Sequence, residues 1–206
     1  LFAHQIMDVS KINSLVELYF KKVEQIDKKK PFLKWLNPKN NHQYNWEEVT
    51  EKIYKFSYKI KSLIKEGDRV LLLSENRPEW LIADLAIMNA GGITVPIFTT
   101  YAERDYEYIL KDCSPSLIVV SNDTQFEKIK KFIDNKEIIS FEKIKTSSIT
   151  FERIFNEKYE KEINHKLNRK LPACIIYTSG TSGNPKGVIL SHGGILSNCE
   201  GALELL

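Results

Sequence analysis

Apolar residues recur with two different periods along the chain, and this change of period separates predicted helices from predicted strands. Near the N-terminus they fall three or four positions apart, first after Ser14 and again after Asn45. Each of these residues is followed three positions later by a glutamate, which is the pattern of a helix capping box. The sequence therefore predicts two amphipathic helices, the first ending near Lys30 and the second closed by Gly67, with a short strand over 32–36 between them.

Further along, short continuous apolar runs alternate with amphipathic segments. Such runs are typical of strands that are buried on both faces, and the segments between them are typical of helices. The predicted strands cover 69–74, 93–98, 116–121, 137–140 and 173–177. Alternation of strand and helix with short connections predicts an α/β fold with a doubly wound, mostly parallel sheet and flanking helices. We find no internal repeat or low-complexity linker, so one domain is expected.

Charge and cysteine content restrict the classes of function. The 206 residues carry 30 basic and 27 acidic side chains, and no block of one sign dominates the net charge of +3. This balance gives little support to a nucleic-acid partner. Three widely spaced cysteines, with no histidine at metal-ligand spacing, are typical of reduced thiols in a cytoplasmic protein. Asp84, two glycines and a proline interrupt the longest apolar stretch, so no membrane-spanning helix is expected.

The segment between the last two apolar runs, residues 177–188, has a composition that a simple turn does not require. It contains three glycines, five hydroxyl side chains and one lysine. Glycines allow a ligand to approach the main chain, and successive N–H groups in such a turn suit an anion. The hydroxyl groups and the ammonium group of Lys186 add the donors that a polyphosphate requires. An ordinary Gly/Ser-rich connection explains the composition equally well, so composition alone leaves both interpretations open.

The residues after this loop predict a final helix with Ser191 as its N-cap. Its expected buried stripe consists of Ile195, Leu196, Cys199, Ala202, Leu203 and Leu206. A helix N-terminus close to the loop would add a favourable dipole for a bound anion. His192, at the start of this helix, is either a structural histidine or a contact to a ligand, and we favour the structural interpretation.

The stretch YTSGTSGNPKGVILSH, at 177–192, resembles the phosphate-binding signature of the adenylate-forming (AMP-binding) superfamily. A second stretch, 74–110, is similar to the corresponding region of long-chain fatty-acid–CoA ligases, and YNWEEV at 44–49 fits the same comparison. The resemblance covers most of the chain and is weakest over 122–170. It departs from the family pattern at Gly194, where many relatives carry asparagine.

The resemblance implies the N-terminal part of the large domain of a ligase that activates a long-chain fatty acid. In such an enzyme, ATP and the fatty acid give an acyl-adenylate and pyrophosphate, and coenzyme A then displaces AMP. It implies Lys186 as a catalytic residue and no metal ligand within this chain, although Mg²⁺ accompanies ATP. The residues that it implies as nucleotide contacts are Thr178, Ser179, Gly180, Thr181, Ser182, Gly183 and Lys186.

The resemblance also implies that residues 1–206 are only part of a domain. The magnesium ligand, the adenine contacts, most of the acyl pocket and a C-terminal domain with a further lysine would lie beyond Leu206, so we expect this chain alone not to turn over. Two alternatives stay open: an aryl- or amino-acid-adenylating enzyme of the same superfamily, and a non-catalytic nucleotide-binding module. Peripheral contact with a membrane is compatible with a fatty-acid substrate, and the sequence leaves the oligomeric state undetermined.

Overall fold

The computed structural model describes residues 7–37, 40–146, 148–178 and 183–204. Within these ranges the chain forms a large sheet covered by helices and a separate two-stranded ribbon. The strands of the large sheet are β3 (Arg69–Leu73), β4 (Ile93–Ile97), β5 (Leu117–Val120), β6 (Glu137–Ser140), β7 (Ile149–Thr150), β8 (Pro172–Thr178) and β9 (Lys186–Ser191). The ribbon consists of β1 (Pro31–Asn37) and β2 (Asn40–Asn45). The helices are α1 (Leu15–Gln25), α2 (Trp46–Lys61), α3 (Pro78–Asn89), α4 (Glu103–Cys113), α5 (Asp123–Ile129), α6 (Phe151–Asn156) and α7 (His192–Glu204).

The large sheet has the order β7-β6-β5-β3-β4-β8-β9. The strand pairs from β7 to β8 are parallel, and β9 runs antiparallel to β8. The prediction of an α/β fold with a mostly parallel sheet and flanking helices is therefore confirmed. The predicted strands agree with the observed ones to within one or two residues at each end.

Helices cover both faces of the central strands, which explains why those strands are continuously apolar. Val70 and Leu72 of β3 face a cluster built from α1, α2, α3 and α6. Leu71 and Leu73 point to the opposite face, where they contact residues of α4 and α5. Because successive side chains of a strand alternate between faces, one apolar run contributes to two cores.

The first two helices begin at the predicted caps. Ser14 accepts a hydrogen bond from the N–H of Glu17 at 3.0 Å, and Asn45 and Glu48 form a complete capping box. The predicted ends are wrong for both helices, since α1 stops at Gln25 and α2 stops at Lys61. After α1, the side chain of Asp27 accepts from a main-chain N–H and starts a turn instead of another helical turn.

The ribbon confirms the strand predicted over 32–36 and adds a partner that the sequence did not indicate. Strand β2 reads NNHQYN and lacks the alternation of apolar and polar residues that marks a half-buried strand. Its position is set by pairing with β1 and by the packing of Phe32 on Trp46, whose ring centroids lie 3.7 Å apart. The packing of Phe32 on Trp46 joins β1 to α2, and the sequence of β2 itself does not record it, which is why β2 was not predicted.

The final helix, α7, begins as predicted, because Ser191 Oγ accepts from the N–H of Gly194 at 3.1 Å. Its buried stripe is shorter than expected. Leu196 is buried against residues near the N-terminus, whereas Ala202 is exposed. The side chain of Leu203 and the residue Leu206 lie outside the described part of the structure.

Candidate functional site

The candidate loop connects β8 to β9 at the carboxyl edge of the parallel sheet. Thr178, the last residue of β8, pairs with Lys186, the first residue of β9. Both side chains are exposed to solvent, as expected for a loop whose ends are fixed in a sheet. Gly183 has φ of +90°, a conformation that glycine adopts without strain.

The structure leaves four of the predicted contacts outside its described residues: Ser179, Gly180, Thr181 and Ser182. Their roles stay predictions, as do those of Thr178, Gly183 and Lys186. The described residues show that Lys186 stands at the base of the hairpin, on the strand opposite Thr178. This pairing places Lys186 beside Thr178 at the start of the loop, although seven residues lie between them in the sequence.

Gly187 lies where neighbouring side chains leave little room for a Cβ, at the base of the hairpin. It lies opposite Tyr177 in the ladder, and a Cβ built on Gly187 would come within 3.1 Å of the Tyr177 ring and of Ile175. The absence of a side chain lets the aromatic ring cross the neighbouring strand. The glycine after the lysine therefore has a role in the sheet in addition to any role in the loop.

Tyr177, directly before the loop, is fixed at both its main chain and its side chain. Its carbonyl oxygen accepts a hydrogen bond from the hydroxyl of Tyr101 at 2.9 Å. Its own hydroxyl donates to the carboxylate of Asp112. Burial and the hydrogen bond to Asp112 raise the pKa of Tyr177, so the hydroxyl stays protonated and continues to donate. Tyr177 is thus held by the turn after β4, through Tyr101, and by α4, through Asp112.

A polar network lies at the same edge, beyond the ends of β3, β4 and β5. The carboxylate of Glu75 accepts from Ser121 at 2.6 Å and from the amide of Gln125 at 2.5 Å. The ammonium group of Lys128 donates to Gln125 at 2.9 Å and to the carbonyl oxygen of Thr99 at 2.6 Å. These donors connect three turns that are far apart in sequence.

Sequence reasoning missed Tyr101, Glu75 and Lys128. A usable signal was present, because Glu75 and Tyr101 follow predicted strands, and the carboxyl ends of parallel strands meet at one edge of a sheet, where ligands bind in this class of fold. Lys128 carried no such signal. It lies within a helix, and only the folded chain brings its side chain to that edge.

The expectation that a helix dipole supports the loop is wrong. Helix α7 begins at His192, after the whole of β9, and Ser191 lies opposite Pro172 at the other end of β8. Six strand residues separate that helix start from the loop, a distance of about 20 Å. The dipole effect is confined to the first helical turn and does not extend so far.

His192 has the structural role that we favoured. Its ring is 1% exposed, and Nδ1 accepts a hydrogen bond from the main-chain N–H of Leu15 at 3.3 Å. Burial lowers the pKa of His192 to about 4, so the imidazole is neutral near pH 7. The residue joins the start of α1 to the start of α7, at the edge of the sheet opposite the candidate loop.

Metal ligands or a membrane-spanning helix would indicate other kinds of site. Among the residues that the structure describes, no group of three or more His, Cys, Asp or Glu side chains is arranged to hold a metal ion. Within the same ranges, each helix is too short or too polar to cross a lipid bilayer. The loop between β8 and β9 stays the candidate site that the sequence predicts.

Comparisons with known proteins find similar sequences and similar folds. The family of AMP-binding enzymes matches residues 20–205. A long-chain-fatty-acid–CoA ligase of Xenopus laevis, ACSBG2, is 32% identical over 170 residues, which cover 73% of this chain and 23% of that protein. The chain spans about a quarter of the length of the curated relatives that it matches.

Two solved structures are similar in fold. An anthranilate CoA ligase in complex with anthranoyl-AMP has a TM-score of 0.78 at 22% identity, with 91% of this chain and 37% of that chain covered. A fatty acyl-adenylate ligase from L. pneumophila, in complex with acyl adenylate and pyrophosphate, has a TM-score of 0.73 at 23% identity, with 95% of this chain and 33% of that chain covered.

Proposed function

Because the chain belongs to the family of AMP-binding enzymes, we propose that it is the N-terminal part of a ligase that activates a long-chain fatty acid. The reaction would use ATP to form an acyl-adenylate and pyrophosphate, and coenzyme A would then displace AMP. The observation that carries this proposal is the hairpin loop between β8 and β9, with Lys186 at its base. The choice of fatty acid rests on curated relatives of about 30% identity that are long-chain-fatty-acid–CoA ligases.

In the proposed site, the residues of this chain bind the phosphates of ATP. The hydroxyl and main-chain N–H groups of 178–183 would donate to the β- and γ-phosphates, and Lys186 would place a positive charge beside them. Adenylate formation develops negative charge on the departing pyrophosphate, so fixed donors there lower the barrier by electrostatic stabilisation. Magnesium enters as the ion that accompanies ATP, and no residue of this chain is assigned to it.

A second candidate is an aryl-adenylating ligase of the same family. It is favoured by the similarity in fold to the anthranilate CoA ligase, whose structure aligns with 91% of this chain. The two candidates share the proposed phosphate contacts and differ in the acyl pocket. A competition between palmitate and benzoate as the carboxylate substrate separates them.

The proposal is tested with the native protein at its natural length, supplied with ATP, Mg²⁺, coenzyme A and palmitate. We expect palmitoyl-CoA, AMP and pyrophosphate in equal amounts. A preference for benzoate would support the second candidate, and ATP hydrolysis or binding without acyl transfer would favour a non-catalytic nucleotide-binding module. We expect the isolated 206-residue chain not to form acyl-adenylate, and turnover by that chain would refute its assignment as an incomplete catalytic unit.

Lys186→Ala tests the role of the lysine in the native protein. Loss of one charge-assisted contact is expected to lower kcat/KM for ATP by about 10- to 150-fold, corresponding to about 1.5–3 kcal/mol. Lys170→Ala is the matched control, since Lys170 is also exposed but precedes β8 at the opposite edge of the sheet. Equal kinetics for the Lys186 variant and the wild type would exclude the assigned role. A cytoplasmic location and peripheral contact with a membrane belong to the same proposal.

A further inference from the structure

The turn after β4 makes contacts on two sides, one with α5 and one with β8. On one side, Lys128 of α5 donates to the carbonyl oxygen of Thr99 at 2.6 Å. On the other side, the hydroxyl of Tyr101 donates to the carbonyl oxygen of Tyr177 at 2.9 Å. The turn therefore connects a lysine that lies outside the candidate loop to the residue from which that loop starts.

Lys128 is itself held in place. Its ammonium group donates to Gln125, which is 4% exposed and donates in turn to Glu75 at 2.5 Å. Burial acts to raise the pKa of Glu75, but hydrogen bonds from Ser121 and Gln125 outweigh it, so the pKa lies below its usual value. Glu75 is therefore ionised near pH 7. The carboxylate of Glu75 and the ammonium group of Lys128 are thus linked through the buried amide of Gln125. This link fixes the position of the turn after β4.

The ring of Tyr101 has little freedom to rotate away from its acceptor. It makes edge-to-face contacts with Phe98 and Tyr106, at centroid distances of 5.4 and 6.1 Å. Tyr106 also donates its hydroxyl to the carbonyl oxygen of Phe98 at 2.9 Å, which closes the turn on itself. Aromatic pairs of this geometry favour one relative orientation. The hydroxyl of Tyr101 is thus aimed at Tyr177 before any ligand binds.

The hydrogen bond from Tyr101 determines which way the next peptide unit faces. Because a trans peptide unit is planar, the carbonyl of Tyr177 and the N–H of Thr178 point in opposite directions. Tyr101 follows β4, which lies on one side of β8, and β9 lies on the other side. Holding the carbonyl towards Tyr101 directs the N–H of Thr178 towards β9, where Thr178 pairs with Lys186.

We propose that Tyr101 and Lys128 are positioning residues for the nucleotide loop. Tyr101 holds the peptide unit that closes the hairpin and so fixes Lys186 relative to Thr178, and Lys128 holds the turn that carries Tyr101. This inference rests on the proposed function, because it assigns a consequence for ATP binding at the same loop. Donors that are fixed before the ligand arrives lose less conformational entropy on binding.

Tyr101→Phe removes the hydroxyl and keeps the ring. Loss of one neutral hydrogen bond is expected to raise KM for ATP in the native protein by about 3- to 10-fold. KM for the fatty acid and the midpoint of thermal unfolding are expected to stay close to wild type. Tyr58→Phe is the control, since Tyr58 is exposed on α2, away from the loop. A purely structural role would instead lower the fraction of folded enzyme and leave KM for ATP unchanged.

Lys128 is tested with two variants. Lys128→Met removes the donors and is expected to raise KM for ATP by a similar factor, whereas Lys128→Arg keeps donors within reach of Thr99 and is expected to restore most of the loss. Equal KM values for Lys128→Met and wild type would refute the part of the proposal that concerns α5. Equal defects in the Met and Arg variants would also refute it, because retained donors should rescue.

A double-mutant cycle joins Tyr101 to the lysine. If Tyr101 acts by placing Lys186, Tyr101→Phe should change KM for ATP much less in a Lys186→Ala background than in wild type. Full additivity would refute positioning through Lys186. Calorimetric titration with ATP separates this inference from the proposed function: an inactive wild type that binds ATP more tightly than Tyr101→Phe would refute the ligase and support the positioning. An active wild type whose affinity for ATP is unchanged by Tyr101→Phe would support the ligase and refute the positioning.

Discussion

The neutral, buried imidazole of His192 is expected to make a contribution to the stability of the chain that is lost in acid. Nδ1 accepts from the N–H of Leu15, and a proton on Nδ1 would remove that acceptor and leave a charge in a buried position. Burial holds the pKa at about 4 in the folded state, against a usual value near 6.5. The substitution His192→Asn supplies a side-chain oxygen that can accept the same hydrogen bond and does not titrate.

The direction of the effect follows from proton binding. Between pH 6.5 and pH 4 the unfolded chain binds a proton at this residue and the folded chain does not, so the free energy of unfolding falls as the pH falls. Above pH 6.5 neither state binds the proton and the contribution is constant. A difference of two to three pKa units corresponds to about 3 kcal/mol, of which most is lost between pH 7 and pH 4.5.

Asp84 on α3 is expected to act in the opposite direction within an overlapping range of pH. Burial raises the pKa of Asp84 to about 6, so the folded chain binds a proton that the unfolded chain releases above about pH 4. Acidification from pH 7 to pH 4.5 therefore stabilises the fold at this residue by about 2 kcal/mol. In the wild type the two effects largely cancel, and single substitutions reveal each one.

Urea unfolding of the 206-residue chain at pH 7 and pH 4.5 measures both effects. Relative to wild type, His192→Asn should gain about 2–3 kcal/mol of unfolding free energy on acidification, and Asp84→Asn should lose about 2 kcal/mol. The opposite signs of the two changes identify the residue responsible for each, because all other titrating groups are common to the three proteins. If His192→Asn keeps the same difference from wild type at both pH values, His192 does not have a lowered pKa and the reasoning is refuted.

Two further predictions concern stability and association. A Cβ on Gly193 would come within 2.8 Å of the carbonyl oxygen of Arg169, so Gly193→Ala should lower the free energy of unfolding by about 1–3 kcal/mol. Gly194→Ala is the control, because its Cβ would have ordinary clearance, and it should cost less than 1 kcal/mol. Equal losses for the two variants in urea unfolding would contradict this prediction. In the described structure β9 is the edge strand of the sheet, and Ile189 on it is 64% exposed. Exposed edge strands promote association, so Ile189→Lys should reduce self-association of the 206-residue chain, measured by sedimentation velocity. Unchanged association would show that this strand edge does not cause it.

The sequence by itself determined most of the secondary structure, because the relevant interactions are local. The caps at Ser14 and Asn45 use hydrogen bonds within one helical turn, and the continuous apolar runs leave few alternatives to buried strands. The helix ends were less predictable. At Asp27 a short-range turn competed with further helix, and apolar spacing does not record which of the two is more stable.

The candidate loop was also found from sequence, through its glycines, hydroxyl groups and lysine, and through the family resemblance that these residues carry. The sequence did not determine what surrounds it. A helix follows the loop closely along the chain, yet β9 carries its N-terminus to the opposite edge of the sheet. Tyr101 reaches Tyr177, directly before the loop, from a segment about 75 residues earlier in the chain, and Lys128 holds the turn that carries Tyr101.

One physical cause separates the features that the sequence predicted from those that only the folded structure shows. Caps, turns and apolar periodicity depend on residues a few positions apart, so a linear sequence displays them directly. Strand order, the antiparallel return of β9 and the hydrogen bond from Tyr101 to Tyr177 depend on contacts between distant segments. Those contacts exist only after burial of both faces of the sheet has fixed which strands are neighbours, and so the tertiary structure alone decided them.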